Sequence, residues 1–128
     1  MPVDLESWRD GRGVWIRVSG TVTSDDLKRA FLLRVGQGGW ERPAALDVTR
    51  MTDTDFTDRE VAEMALFIRR LTRPHQPRGR LAVVVDTPQQ RAIADTFRSL
   101  LGFDQDRVAI VTTADDADAW LEGDPSGA

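Results

Sequence analysis

"RLAVVVDTPQQRAIADTFRSLL", residues 80–101, holds the unit on which the fold turns. Leu81 to Val85 form an unbroken apolar run, the mark of a strand covered on both faces and typical of parallel sheets. Thr87 then stands three residues before Gln90, with Pro88 at the first helical position. A threonine oxygen there accepts from the third residue's amide, and that residue's side chain reaches back to the cap. Proline fits because its missing N–H would have no helical partner at that position. The helix that follows carries Ile93, Phe97, Leu100 and Leu101 at helical spacing and is expected to bury them.

The same capping device recurs along the chain. Thr23 precedes Asp26, Thr57 precedes Glu60 and Thr113 precedes Asp116, each by three residues. Each cap is worth about 0.5–2 kcal/mol over alanine, and together they place four helix starts. Between them lie "AALDV" (44–48), expected as a short buried strand, and "RVAIVTT" (107–113), expected as the last strand. "ADDADAWLEG" reads as a short closing helix, with Trp120 packing it onto the sheet.

The N-terminus gives a hairpin. Asp10-Gly11 suits a two-residue type I′ turn, whose central positions both need positive φ. That turn sets Val3 opposite Val18, Leu5 opposite Ile16 and Ser7 opposite Val14, all on one side, because strand side chains alternate. Asp4–Arg17 and Glu6–Trp15 then pair on the other side. The element order is ββαβαβαβα: an α/β fold with a mixed, mainly parallel sheet. Residues 1–122 are expected to form one domain and 123–128 a polar tail, with residues 72–80 as a long loop between helix and strand.

Composition narrows the function. The 128 residues carry a net charge of −4, which disfavours a general nucleic-acid binder. There is no cysteine, so thiolate nucleophiles, thiolate metal sites and disulfides are excluded. No apolar run reaches membrane-spanning length and "MPVDLES" is not a signal peptide, so a cytoplasmic protein is expected. No phosphate-binding loop, dinucleotide fingerprint or nucleophile elbow is present. His75 has no visible catalytic partner, and no enzyme activity or cofactor is expected. Arg69, Arg70, Arg73, Arg78 and Arg80 surround it; they read either as complements to a helix C-terminus or as a patch for an acidic partner.

"DVTRMTDTDFTDREV", residues 47–61, crowds four threonines and four aspartates between a strand and a helix. Three readings stand: a helix cap at Thr57, a phosphorylation switch, or an acid cluster of Asp47, Asp53, Asp55 and Asp86 holding Mg²⁺. The receiver domains of two-component signalling also gather such acids, but they need a lysine after the last strand. The chain's single lysine is Lys28, on the first helix.

"LDVTRM" before the second helix, "GRLAVVVD", and the closing "VTTADDADAWL" together resemble the STAS superfamily. They look most like its small bacterial SpoIIAA-like members, which are related to CRAL-TRIO lipid-exchange folds. Anti-sigma-factor antagonists of that superfamily carry Asp-Ser-Ser-Gly at the start of the second helix, and a kinase phosphorylates the second serine. "DFTD" (55–58) falls at that place. Asp55 matches the aspartate and Thr57 the phosphorylated residue, while Phe56 replaces the first serine and Asp58 the glycine. The resemblance implies a non-catalytic regulatory domain that meets a protein partner through Thr57 and Asp55, with Thr54 and Thr52 beside them. The alternative it implies is a carrier of an apolar, lipid-like molecule in a cavity at Met64, Phe67 and Ile68. It also makes a homodimer plausible, with the N-terminal edge strand as a seam.

Overall fold

A computed structural model describes residues 3–36, 42–52, 56–72, 79–101 and 106–123. Among them the chain forms β1 (Val3–Trp8), β2 (Gly13–Gly20), α1 (Ser24–Gly36), β3 (Ala44–Met51) and α2 (Asp58–Thr72). β4 (Leu81–Val84), α3 (Pro88–Leu100), β5 (Val108–Val111) and α4 (Ala114–Glu122) follow. The strands form one sheet in chain order, β1-β2-β3-β4-β5. β1 is antiparallel to β2, and each later strand is parallel to the one before it. The order read from sequence is the order observed.

The hairpin register also agrees pair for pair, from Val3 opposite Val18 to Ser7 opposite Val14. Asp10 and Gly11 have φ of 58° and 91°, and the Arg12 amide donates to the Arg9 carbonyl at 3.3 Å, as a type I′ turn requires. Arg9 is left-handed as well, with φ 51°.

Alternation along the strands sends side chains to two faces. Ile16, Val18, Ala44, Leu46, Leu81, Val83 and Val108 point toward α1, α2 and α3, where they meet Leu27, Phe31, Met64, Ile68, Phe97 and Leu101 in the main core. The opposite face carries Trp8, Trp15, Ala45, Ala82 and Val84, packed with Ala117 and Leu121 of α4. Trp15, expected on the side away from the aliphatic row, is buried there with Trp8; Trp120 is half-buried beside them. Trp40 lies outside the described residues.

Two expectations change. Leu100 is exposed; the buried face of α3 runs instead through Gln90, Ala94 and Phe97 to Leu101. β3 does not end at Val48 but continues to Met51. Between Arg17–Asp47 and Ser19–Arg50, β3 uses three steps where β2 uses two, so it carries a bulge. The extra residue shifts the alternation, leaving Arg50 exposed and turning Met51 into the core. A strict two-residue period cannot follow the strand past that point.

Gly11 and Gly13 serve the hairpin in different ways. Gly11 has positive φ and open space around it, so Gly11→Ala should cost only backbone strain, about 1–2 kcal/mol. At Gly13 a Cβ would collide with the Pro43 carbonyl oxygen, which accepts the Val14 amide at 3.1 Å. Gly13→Ala should therefore give the larger loss in urea unfolding, because β2 and the residue preceding β3 must separate to admit it.

Candidate functional site at the carboxyl ends of the central strands

The segment from Asp47 to Val61 resolves into separate devices. Oδ1 of Asp47 accepts from the Thr49 amide at 2.9 Å and from its hydroxyl at 2.7 Å. These bonds close the backbone across the bulge, a local use typical of aspartate and threonine. Thr52, exposed just past β3, ties its amide to the Gly20 carbonyl at 3.0 Å. Asp53, Thr54 and Asp55 lie outside the described residues. Phe56 is half-buried and packs against the main core.

Thr57 makes a complete capping box. Its Oγ1 accepts from the Glu60 amide at 3.1 Å, while a Glu60 carboxylate oxygen accepts from the Thr57 amide and hydroxyl, both at 3.1 Å. Thr23–Asp26 and Thr87–Gln90 form the same reciprocal pair. At Thr113 the Asp116 amide donates to Oγ1 at 3.1 Å. Thr57 is exposed, at the start of a helix whose outer residues Arg59 and Glu63 form an ion pair at 3.2 Å.

Beneath the start of α2 lies an apolar cavity of about 50 Å³. Leu46, Val48 and Met51 of β3, Phe56, Met64 of α2, and Ile93 and Phe97 of α3 contribute to its wall. Of the three residues expected to form a ligand cavity, Met64 lines it. Ile68 is fully buried in the core, and Phe67 is half-buried, with the Lys28 ammonium 5.9 Å from its ring centre. Neither belongs to the cavity lining.

Gln90 is the polar group of this wall, and sequence reading gave it no role beyond the cap. It is 2% exposed. Its Oε1 accepts from the amides of Asp86 (2.8 Å) and Thr87 (3.2 Å), and its Nε2 donates to the carbonyls of Met51 (3.4 Å) and Thr49 (3.5 Å). One carboxamide thus fastens the carboxyl end of β3 to the turn between β4 and α3. The signal available in sequence was a glutamine, rather than a glutamate, at the third position of a helix that follows a buried strand.

Of the acid cluster, only Asp47 and Asp86 belong to the described residues. Asp47 is engaged with Thr49, Asp86 is exposed, and among the described residues no three histidine, cysteine, aspartate or glutamate side chains converge on a common point. His75, Arg73 and Arg78 lie outside the described residues. Arg69 and Arg70 are exposed in the last turn of α2, and Arg80 stacks on Trp120 at 4.3 Å and donates to its carbonyl. No helix among the described residues is long and apolar enough to cross a membrane.

No protein-family model and no curated protein matches the chain. A solved structure does: that of an uncharacterised protein of the DUF3478 family, described as having a SpoIIAA-like fold, from Shewanella loihica PV-4. The superposition covers 93% of this chain and 91% of that one, with a TM-score of 0.55 and 17% identity. The fold is SpoIIAA-like. At that identity the likeness concerns architecture, and the chemistry of a SpoIIAA-like domain must be argued from its own residues.

Two substitutions separate the devices of this site. Thr57→Ala should cost about 0.5–2 kcal/mol and speed hydrogen exchange at the first turn of α2 alone. Gln90→Leu leaves two amides and two carbonyls without their partner and should cost about 2–4 kcal/mol in urea unfolding. Its effect should spread to both β3 and α3.

Proposed function

We propose that this SpoIIAA-like domain is a non-catalytic interaction module that meets a protein partner through the start and outer face of α2. The observation that carries this reading is the contrast between what α2 covers and what it presents. The cavity beneath it, about 50 Å³, is far smaller than the roughly 300–1,000 Å³ of small-molecule sites. Its outer side presents Thr57, Asp58, Arg59, Ala62, Glu63, Leu66, Arg69 and Arg70 to solvent. That surface places Leu66 and Ala62 among charged groups of both signs, with Arg59, Arg69 and Arg70 of the residue type enriched at protein contacts.

Control by phosphorylation fits the cap. A phosphoryl group on Thr57 Oγ1 would displace the Glu60 carboxylate 3.1 Å away and set new negative charge beside Glu60 and Asp58. The first turn of α2 would loosen, while the positive helix end would attract the phosphate. The switch is then local: the start of α2 changes and the sheet does not. The carrier alternative requires α2 and α3 to part, because an acyl chain does not fit in a space of about 50 Å³.

A photo-crosslinking residue placed at Glu63 or Leu66 of α2, and as a control at Ser99 of α3, tests the contact in the protein's own host. The α2 positions should give an adduct with a second protein, the α3 position none, and Thr57→Glu should abolish it. A native mass carrying an apolar adduct that leaves on denaturation, with no crosslink from α2, would establish the carrier instead.

A further inference from the structure

The two sides of the sheet are covered unequally. α4 has nine residues and packs over β3, β4 and β5, so the outward face of the β1–β2 hairpin lies beside it without a helix of its own among the described residues. A cleft of about 350 Å³ opens there, within the size range of small-molecule sites. Glu6, Ser7, Trp8, Arg9, Trp15, Arg17, Ala114 and Asp118 line it.

Trp8 and Trp15 are each 7% exposed, yet both line this cleft. A guanidinium lies over each ring: Arg9 at 5.5 Å from that of Trp8, Arg17 at 5.3 Å from that of Trp15. Arg9 holds its place from a left-handed backbone, a conformation uncommon outside glycine.

Among the lining residues Arg9 and Arg17 are balanced in charge by Glu6 and Asp118, and one buried donor is left over. Trp8 Nε1 donates to Asp118 at 2.8 Å, but Trp15 Nε1 is buried without a partner. Each guanidinium has five N–H groups. Arg17 pairs with Glu6 and Arg9 with Glu122, in ion pairs whose side chains are about half exposed. Pairs of that kind contribute little and are readily exchanged for another anion. Asp118 and Glu6 add negative charge at the rim, which opposes a doubly charged ligand such as a phosphate monoester.

We infer that the cleft between the β1–β2 hairpin and α4 binds a small organic monocarboxylate with a flat, aromatic body. The carboxylate takes the place of Glu6 on Arg17, with Arg9 contributing from the far side. The ring lies against the indole floor. As Arg17 moves to the ligand it uncovers Trp15, and a carboxylate oxygen supplies the acceptor that Trp15 Nε1 lacks. This site lies on the sheet face opposite α2 and does not depend on the α2 contact.

Benzoate is the probe, benzamide its uncharged counterpart and cyclohexanecarboxylate its non-planar one. The readout is the set of indole N–H resonances of ¹⁵N-labelled protein at low salt, with Trp15 assigned through Trp15→Phe. Benzoate should move the Trp15 N–H downfield along a saturable curve with Kd of about 1 mM or tighter, and cyclohexanecarboxylate should bind more weakly. Benzamide should leave it in place. Arg17→Gln, a change at an exposed side chain that should preserve the rest of the spectrum, should weaken benzoate at least about tenfold. The inference is overturned if benzoate gives no saturable shift at Trp15, if benzamide binds as well, or if Arg17→Gln binds benzoate unchanged. It is equally overturned if the shifts in the same ¹⁵N spectra centre on the backbone amides of Met51 and Met64.

Discussion

The handedness of the strand crossovers determines most of what is distinctive in this molecule. From β2 to β5 each strand is added beside the last in one direction. A right-handed connection between parallel strands places its helix on a fixed side, so three successive steps in one direction put α1, α2 and α3 on the same face. The main core is thick for that reason, and α4, which follows the last strand, falls to the other side. Doubly wound sheets reverse direction, and the reversal opens the crevice where their ligands bind. Here the order has no reversal. The carboxyl ends of β3 and β4 are closed by Gln90 and Phe56, and the space between them is small.

The unequal cover explains the use of tryptophan. On the α1–α3 side aliphatic residues with Phe31 and Phe97 suffice, because helices supply the opposing surface. On the α4 side the sheet must cover itself near the hairpin, and broad rings with arginines laid over them do so. Small residues sit where α4 approaches closely: Ala45 and Ala82 on the sheet, Ala117 on the helix, all fully buried. Large and small side chains thus exchange places across one face according to the distance of the helix above it.

Local rules made the helix starts, the turn at Asp10-Gly11 and the hairpin register legible in sequence, because capping and positive φ involve only residues a few positions apart. Features that depend on distant partners were not legible. Arg50 and Met51 break the alternation because β2 imposes a bulge through pairing, and Leu100 is exposed because the next residue, Leu101 at the end of α3, takes the place in the core. The candidate site was legible in part. Thr57 was read correctly as a cap, and Met64 lines the small space beneath α2. The role of Gln90 depends on carbonyl groups 39 and 41 residues away, and no local pattern specifies those.

The chain-order sheet has a consequence for biosynthesis. No strand must be inserted between two others, so each strand leaving the ribosome meets the edge that its predecessor has just formed. β1 and β2 can close first across a four-residue turn, giving the nascent chain a template before any long-range contact exists. The later pairings join residues such as Val14 with Ala44 and Leu81 with Val108, and each must wait for an intervening helix to be made. Assembly can therefore proceed vectorially, in the direction of translation, with one growing edge exposed at a time.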